Sequence, residues 1–360
     1  MTASPAAGPI TTRLTELTGI RYPIVQTGMG FVAGARLAAA TSQAGGLGII
    51  GSATMTLDAL RTAITAVKER TDAPFGVNLR ADAPDAAERI GLMIAGGVRV
   101  ASFALAPRQD MIARLKDAGL VVIPSVGARW HAEKVAQWGA DAVIVQGGEG
   151  GGHTGPVPTS LLLPQVVSAV DIPVIAAGGF FDGRGLVAAL AYGGEGIAMG
   201  TRFLLTTDSP VADQVKQIYL GMTLTDTVVT TRVDGVPHRV LRTPLIDGIE
   251  RSGQLTGLLR AVRNAAGFRK LSGLSWPALI NQGRQMRHNA ELSWSQVLMA
   301  ANTPMLLKSA MVDGRPDLGV MAAGQVVGLI DDVPSCAELI DRIMAEATSV
   351  LARLGKLGSA

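Results

Sequence analysis

Eight short apolar runs, separated from one another by stretches with helical periodicity, constrain the fold more than any other feature of the sequence. The runs are continuously apolar rather than alternating, which predicts strands that are covered on both faces. Several helical stretches end at glycine, the residue expected at a helix C-terminus. Strands that alternate with helices form parallel sheets through helical crossovers. The predicted strands are residues 23–27, 47–50, 75–79, 98–103, 120–125, 142–145, 172–177 and 196–199.

The number of runs distinguishes between two parallel architectures. Eight strands within about 180 residues fit a compact (β/α)8 TIM barrel. The alternative is a doubly wound open sheet, whose glycine fingerprint would follow the first strand. Here the glycine-rich turns follow the first, sixth and seventh runs. The sequence therefore favours the barrel, in which active-site residues lie at the C-terminal ends of the strands.

The pattern changes after about residue 200, where the regular alternation of runs and helices stops. We predict that residues 1–205 form the barrel, with a cofactor site, and that residues 206–360 form a mostly helical C-terminal lid over the substrate region. The candidates in this second part are strands near 228–232 and 238–241 and helices near 255–266, 294–300 and 335–348.

Composition excludes several classes of protein. The formal charge of +3 is too small to indicate a nucleic-acid partner, and a single cysteine, Cys336, excludes a disulfide framework and a cysteine-based metal cluster. No metal site is expected. The N-terminal residues 1–13 lack the apolar core of a signal peptide, and no run approaches the roughly 20 apolar residues of a membrane span. We expect a cytoplasmic protein; a homo-oligomer is left open.

The sixth run ends at Gln146 and opens into a glycine-rich loop. Five of the next six residues are glycine, the exception being Glu149, and His153 follows directly. Glycine lets a backbone approach a flat or anionic ligand without interference from a Cβ atom. Imidazole has an unperturbed pKa near neutrality, so His153 is a candidate acid or base. The alternative is a loop histidine with no role. Glu149 is expected to orient His153 or to pair with an arginine.

Two further loops are candidates for binding a phosphate. The seventh run ends at Gly178-Gly179 and the eighth at Gly200-Thr201, and loops after strands 7 and 8 of such barrels often bind phosphate. Each loop alone is equally typical of a tight turn. Polar amides also end two runs, at Asn78 and Gln146, and amides suit a flavin ring edge, which presents both donors and acceptors. Together these features favour a flat, phosphate-bearing cofactor.

A basic segment distinguishes the C-terminal part. Residues 251–290 contain seven arginines or lysines, among them Arg260 and Arg263, and no acidic residue. Such a segment attracts anions, for example the phosphates of a coenzyme A thioester. The alternative is an ordinary solvated helical surface. His238, in the sequence Gly235-Val-Pro-His-Arg239, is a further candidate for lining the substrate site.

These motifs resemble the nitronate monooxygenase (2-nitropropane dioxygenase) family of FMN-dependent barrels. The main match is Gln146-Gly-Gly-Glu-Gly-Gly-Gly-His-Thr-Gly155, supported by Gly45-Gly-Leu-Gly48, Gly76-Val-Asn78, Ala176-Ala-Gly-Gly179 and Ala198-Met-Gly-Thr-Arg-Phe203. The resemblance implies that His153 is the catalytic histidine. The resemblance also implies a set of FMN-binding residues. These are Met29, Asn78, Gln146, Gly151, Gly178, Gly179, Ala198, Met199, Gly200 and Thr201.

The sequence also departs from the family. The first loop usually contains Ala-Pro-Met-Ala, where residues 27–30 are Thr-Gly-Met-Gly, and the family usually has alanine at the position of Gly150. Over nearly the whole chain the sequence is closer to one actinobacterial relative that acts on the last two steroid rings in cholesterol breakdown. That similarity implies oxidation of a ring alcohol on an indane carboxyl-CoA thioester, with NAD as a candidate electron acceptor.

Four functional hypotheses follow from these observations. The first is dehydrogenation of the steroid-derived acyl-CoA, with His153 as base and the flavin as hydride carrier. The second is a nitronate monooxygenase that uses O2, and the third is a flavin-dependent enoyl-thioester reductase. The fourth is a non-enzymatic barrel that binds flavin or coenzyme A, which the presence of His153 disfavours.

Overall fold

The computed structural model of the protein describes residues 10–104, 107–233, 235–251 and 303–357. Its barrel strands are β1 (Ile24–Gln26), β2 (Leu47–Gly51), β3 (Phe75–Arg80), β4 (Val100–Ala104), β5 (Val121–Val126), β6 (Val143–Gln146), β8 (Val174–Ala177) and β9 (Ile197–Met199), while β7 (Gly152–His153) belongs to another sheet. The eight barrel strands close in chain order, and all neighbouring strands are parallel. The predicted (β/α)8 TIM barrel is confirmed.

The helices fall between the strands where the periodicity predicts them. Thr56 begins α3 by accepting a hydrogen bond from the Ala59 amide at 3.2 Å. Asp182 caps α8 in the same way through the Gly185 amide, at 3.0 Å. The helices of this part of the chain are α1 (Arg13–Thr18), α2 (Ala35–Gln43), α3 (Leu57–Lys68), α4 (Ala86–Ala95), α5 (Gln109–Asp117), α6 (Arg129–Gln137), α7 (Thr159–Val167), α8 (Gly183–Ala191) and α9 (Thr201–Leu204).

Two apolar clusters explain why the strands are apolar on both faces. Alternate strand residues such as Ile49 and Ile123 fill the barrel interior, which α1 closes with Leu14 at the N-terminal end of the strands. Their neighbours, such as Ile50 and Val122, pack outward against the surrounding helices. Most strand positions are thereby buried, as the continuous runs predict, and the exceptions lie towards the C-terminal ends of the strands.

The described residues form two compact units. The barrel unit comprises the described residues of 1–150, 155–210 and 330–360, and the second unit comprises those of 151–154 and 211–329. The chain thus returns to the barrel unit at residue 330, a feature that the expected division into 1–205 and 206–360 does not contain. The returning segment forms a helix over Cys336–Leu357, which packs on α8 and α2. Arg202 fixes its approach through an ion pair with Asp332 at 2.9 Å.

The second unit is built on a small antiparallel sheet in the order β10-β11-β7, with β10 (Thr227–Thr230) and β11 (His238–Leu241). Both strands lie where the sequence indicated weak candidates. Their apolar faces pack with Val233, Ile246 and Val320 in a separate core. The helices here are α10 (Asp213–Leu220), α11 (Pro244–Arg251) and α12 (Thr303–Met311), and the final helix of the chain is α13 (Cys336–Leu357).

Some predictions lie outside the described residues. These are the helices near 255–266 and 294–300 and the basic segment, including Arg260 and Arg263, apart from Arg251, which ends α11. Within the described part of the chain, no helix has both the length and the apolar character that crossing a membrane requires.

Candidate functional site

The predicted cofactor-binding residues of the barrel unit gather at one end of the barrel. Because all eight strands are parallel, their C-terminal ends form a single rim. Asn78 lies near the end of β3 and Gln146 ends β6, while Gly178 directly follows β8. Gly179 follows Gly178. The other members lie in the loop after β1 (Met29), in β9 (Ala198 and Met199) and at the start of α9 (Gly200 and Thr201).

Asn78 is held from two sides. Its side-chain amide donates to Ser102 Oγ on β4 at 3.2 Å, and its backbone carbonyl accepts from Ser52 Oγ at 2.7 Å. The buried Arg89 in turn donates to the carbonyl of Ser52 at 2.8 Å. Gly28 lies against the same side chain, since an added Cβ there would come within 2.4 Å of Asn78 Cβ. These contacts fix the orientation of an amide that faces the rim.

The glycine-rich loop after β6 is packed by its own neighbours. An added Cβ at Gly150 would lie 2.6 Å from Gln146 Nε2, so the absence of a side chain leaves room for that amide. At Gly147 an added Cβ would lie 2.0 Å from Thr159 Oγ1. Close packing against Gln146 and Thr159 therefore accounts for both glycines, in addition to the approach of a ligand that the sequence suggested.

Glu149 has a different partner from the one we expected. We expected this carboxylate to orient His153 or to pair with an arginine. The structure instead has it accept from the Thr159 backbone amide at 2.9 Å and from the Thr159 hydroxyl at 2.8 Å. The carboxylate thus satisfies a free amide at the N-terminus of α7, where negative charge is favourable.

The loop after β8 fits a phosphate-bearing cofactor. Gly178 and Gly179 have φ angles of 96° and 85°, a region that glycine adopts without strain. Within the described residues, neither of their amides donates to a backbone carbonyl. Gly179 also borders open space, because the atom nearest to an added Cβ is Glu149 Cβ at 3.7 Å. Two adjacent amides beside an open volume suit an anion.

The second unit contains the predicted catalytic histidine. His153 lies on β7 directly opposite His238 on β11, and the two ring centroids are 4.7 Å apart. His153 is exposed, whereas His238 is 3% exposed. The backbone amide of Thr154 donates to the carbonyl of Pro237 at 3.1 Å, which extends the pairing of the two strands. An exposed imidazole on a paired strand, backed by a second imidazole, is suited to proton transfer.

Gly151 belongs to the second unit rather than to the barrel rim. An added Cβ there would lie 2.5 Å from the backbone of Ala323 and Gly324, so packing alone excludes a side chain.

Sequence reasoning missed three hydroxyl residues that hold the rim in place: Ser52, Ser102 and Thr159. Ser102 and Thr159 carry signals in the sequence. Ser102 is a small polar residue inside an apolar run, and Thr159 follows Pro158 at the start of an apolar helical stretch, where hydroxyl residues are favoured. Ser52, a small polar residue in a loop, carries none.

The parallel closed barrel, with its polar residues gathered at the C-terminal rim, defines an enzyme of the (β/α)8 class. A sequence model of the nitronate monooxygenase family matches residues 11–346, nearly the whole chain. The chain therefore belongs to the nitronate monooxygenase family and is a flavin-dependent oxidoreductase.

Two curated proteins and one solved structure are similar to nearly the whole chain. The (3aS,4S,5R,7aS)-5-hydroxy-7a-methyl-1-oxo-octahydro-1H-indene-4-carboxyl-CoA dehydrogenase of Mycobacterium tuberculosis is 66% identical over 343 residues, covering 94% of this chain and 97% of that protein. The dehydrogenase of the same name from Rhodococcus jostii is 61% identical, covering 96% and 98%. The solved structure of FabK from Thermotoga maritima is similar with a TM-score of 0.79 and 36% identity, covering 97% and 99%.

Proposed function

We propose that this protein is an FMN-dependent dehydrogenase of a 5-hydroxy-octahydroindene carboxyl-CoA thioester in steroid-ring breakdown. The observation that carries the proposal is the 66% identity to a dehydrogenase of that name over 94% of this chain. The predicted rim residues and His153 all lie within residues 11–346, the part of the chain that the family model matches. The product would be the corresponding ring ketone.

The barrel rim would hold FMN. The amides of Gly178 and Gly179 would face the phosphate, with Gly200 and Thr201 of the neighbouring β9 loop beside them. The side-chain amides of Asn78 and Gln146 would contact the ring edge, and the remaining contacts from the barrel unit would come from Met29, Ala198 and Met199. When bound, FMN supplies a two-electron acceptor for the hydrogen on the alcohol carbon.

His153 is the proposed general base. Oxidation of an alcohol to a ketone releases one proton from the hydroxyl group in addition to the hydride, and an imidazole can accept that proton near neutral pH. The exposure of His153 leaves its ring accessible to a substrate hydroxyl. His238 is proposed to line the substrate site from its position opposite His153.

The basic segment would bind the coenzyme A portion of the substrate. We propose that Arg260 and Arg263 contact its phosphates, because guanidinium groups pair with phosphate oxygens in a two-pronged geometry. Reversing both charges should raise KM for the thioester and leave kcat unchanged. Reversing Arg61 and Arg108, which lie exposed on the barrel unit, provides the control. An unchanged KM would remove this part of the proposal.

NAD is the proposed final electron acceptor, and a cytoplasmic location remains part of the proposal. The second candidate function is oxidation of alkyl nitronates with O2, which the match to the family model favours. Enoyl-thioester reduction is the third.

A steady-state comparison separates the candidates. The flavin-loaded enzyme is given the hydroxylated indane carboxyl-CoA with NAD, an alkyl nitronate with O2, or an enoyl thioester with a reduced nicotinamide. Ketone formation from the first alone is expected. O2 uptake with nitronate alone would move the second candidate to first place.

A further inference from the structure

The hydroxyl of Thr159 lies beneath two loops of the barrel rim at once. Thr159 is 5% exposed and begins α7, between the loop after β6 and the loop after β8. Its Oγ1 lies 3.0 Å from the Gly178 carbonyl oxygen, 3.3 Å from that of Ala177 and 2.8 Å from the Glu149 carboxylate.

The two carbonyls beside this hydroxyl determine where the next two amides point. All described peptide bonds are trans, and in a trans peptide the N–H points away from the C=O of the preceding residue. The Ala177 carbonyl accepts from the Gly147 amide at 3.0 Å and also faces Thr159, while the Gly178 carbonyl faces Thr159. The N–H groups of Gly178 and Gly179 are therefore directed away from α7.

We infer that Thr159 is a positioning residue for the phosphate of the cofactor. Its hydroxyl holds the Gly178 carbonyl, and through that peptide plane it aims the Gly179 amide at the anion. The Glu149 carboxylate fixes Thr159 in turn, because it accepts from the backbone amide of that residue and shares the single hydroxyl hydrogen with the Gly178 carbonyl. This inference rests on the proposed FMN site and concerns the phosphate alone, not the flavin ring.

Comparing FMN with riboflavin isolates the phosphate, because riboflavin has the same ring and no phosphate. The dissociation constants of both compounds are measured by flavin fluorescence on protein stripped of its cofactor. Thr159→Val keeps the shape of the side chain and removes the hydroxyl. It should weaken FMN binding by about 10-fold, the cost of one misdirected hydrogen bond to a charged group, and leave riboflavin binding unchanged. Thr159→Ser keeps the hydroxyl and should restore the wild-type ratio of the two constants.

Thr18→Val is the matched control. Thr18 is 1% exposed and donates to the Leu14 carbonyl at 2.7 Å in α1, which closes the opposite end of the barrel. Its loss should lower the melting temperature without changing the ratio of FMN to riboflavin affinity. If Thr159→Val does not fold, Thr159→Ala provides the same comparison.

The outcomes separate this inference from the proposed function. Equal weakening of both ligands by Thr159→Val, or no change in either, would overturn the positioning role while leaving the flavin site intact. A wild-type protein that binds neither FMN nor riboflavin would instead contradict the proposed function.

Discussion

In the barrel unit, the polar groups at the rim are held by further polar groups behind them. Asn78 is fixed by Ser102, and the glycine pair after β8 is backed by the hydroxyl of Thr159. In the second unit, the two histidines lie on a short antiparallel sheet, one of them exposed and the other buried against it. The barrel unit is thus organised to hold a ligand in one geometry, whereas the second unit presents a group that can exchange protons.

This contrast predicts that substitutions in the two units have different effects. Changes behind the rim should alter cofactor affinity, because they move the amides that these polar groups position. Changes around His153 should alter turnover and leave the cofactor in place. A protein in which both kinds of substitution had the same effect would contradict this division.

The largest expected effect belongs to the second unit. His153→Ala should lower kcat by about 100- to 10,000-fold, the usual contribution of a general acid or base, while the protein keeps its FMN. Turnover and flavin absorbance are measured on the same preparation. His131→Ala, on α6 of the barrel unit, is the control and should behave like the wild type. Unchanged turnover in His153→Ala would remove the proton-transfer role.

The next effect belongs to the barrel rim. Gly178→Ala places a side chain at φ 96°, with its Cβ 3.0 Å from Thr159 Oγ1. The strained backbone should cost about 1–3 kcal/mol of unfolding free energy and should weaken FMN binding. Gly127→Ala is the control, since an added Cβ there meets nothing within 4 Å. Full FMN affinity in Gly178→Ala would show that this loop does not contact the cofactor.

A smaller effect tests the core of the second unit. Tyr219 is fully buried and its hydroxyl donates to the Ala322 carbonyl at 2.9 Å. Tyr219→Phe leaves that carbonyl without its donor and should lower the unfolding free energy by about 1–2 kcal/mol, with FMN affinity unchanged. Tyr192→Phe, at a side chain that is 44% exposed, should have no effect. Urea unfolding measures the unfolding free energies of both variants. Weaker FMN binding in Tyr219→Phe would contradict the prediction that substitutions in the second unit leave cofactor affinity unchanged.

A further effect is a pH dependence in the barrel unit. Burial raises the pKa of the Cys336 thiol to about 12 from an ordinary value of 9.0. The folded state holds the thiol proton more tightly than the unfolded state does. The stability that the protonated thiol contributes is therefore complete below pH 9 and is lost as the pH rises towards 12. The loss should reach about 1.4 kcal/mol per pH unit in that window.

Cys336→Ala isolates the contribution of the thiol to the pH dependence of stability, because the variant shares every other titrating group with the wild type. Urea unfolding at pH 8 and at pH 10.5 should show a smaller decline in unfolding free energy for the variant than for the wild type. Equal declines in both proteins would mean that the thiol does not titrate differently in the folded state.

The barrel could be predicted from the sequence because its signal is local. Each strand is a continuous apolar run, and the register that buries Ile49 inward and Ile50 outward follows from the alternation of a pleated strand. The antiparallel strands β10 and β11 gave weaker signals, since they are short and contain polar residues such as His238. Their pairing with β7 depends on residues that are distant in the sequence.

The candidate site was predictable only in part. Glycine runs and terminal amides mark the rim, so Asn78, Gln146 and Gly178 could be selected from sequence. The partner of Glu149 could not, because the contact with Thr159 depends on how the loop after β6 folds back on α7. The return of the chain to the barrel unit at residue 330 likewise involves contacts between residues distant in the sequence, such as the ion pair between Arg202 and Asp332.

The most direct test of the account is the visible spectrum of the purified protein during anaerobic mixing with the hydroxylated indane carboxyl-CoA. A dehydrogenase of this thioester should show a flavin spectrum that bleaches as one equivalent of ring ketone forms, and no bleaching with an alkyl nitronate. Bleaching by nitronate alone, or a protein that carries no flavin after reconstitution with FMN, would contradict it.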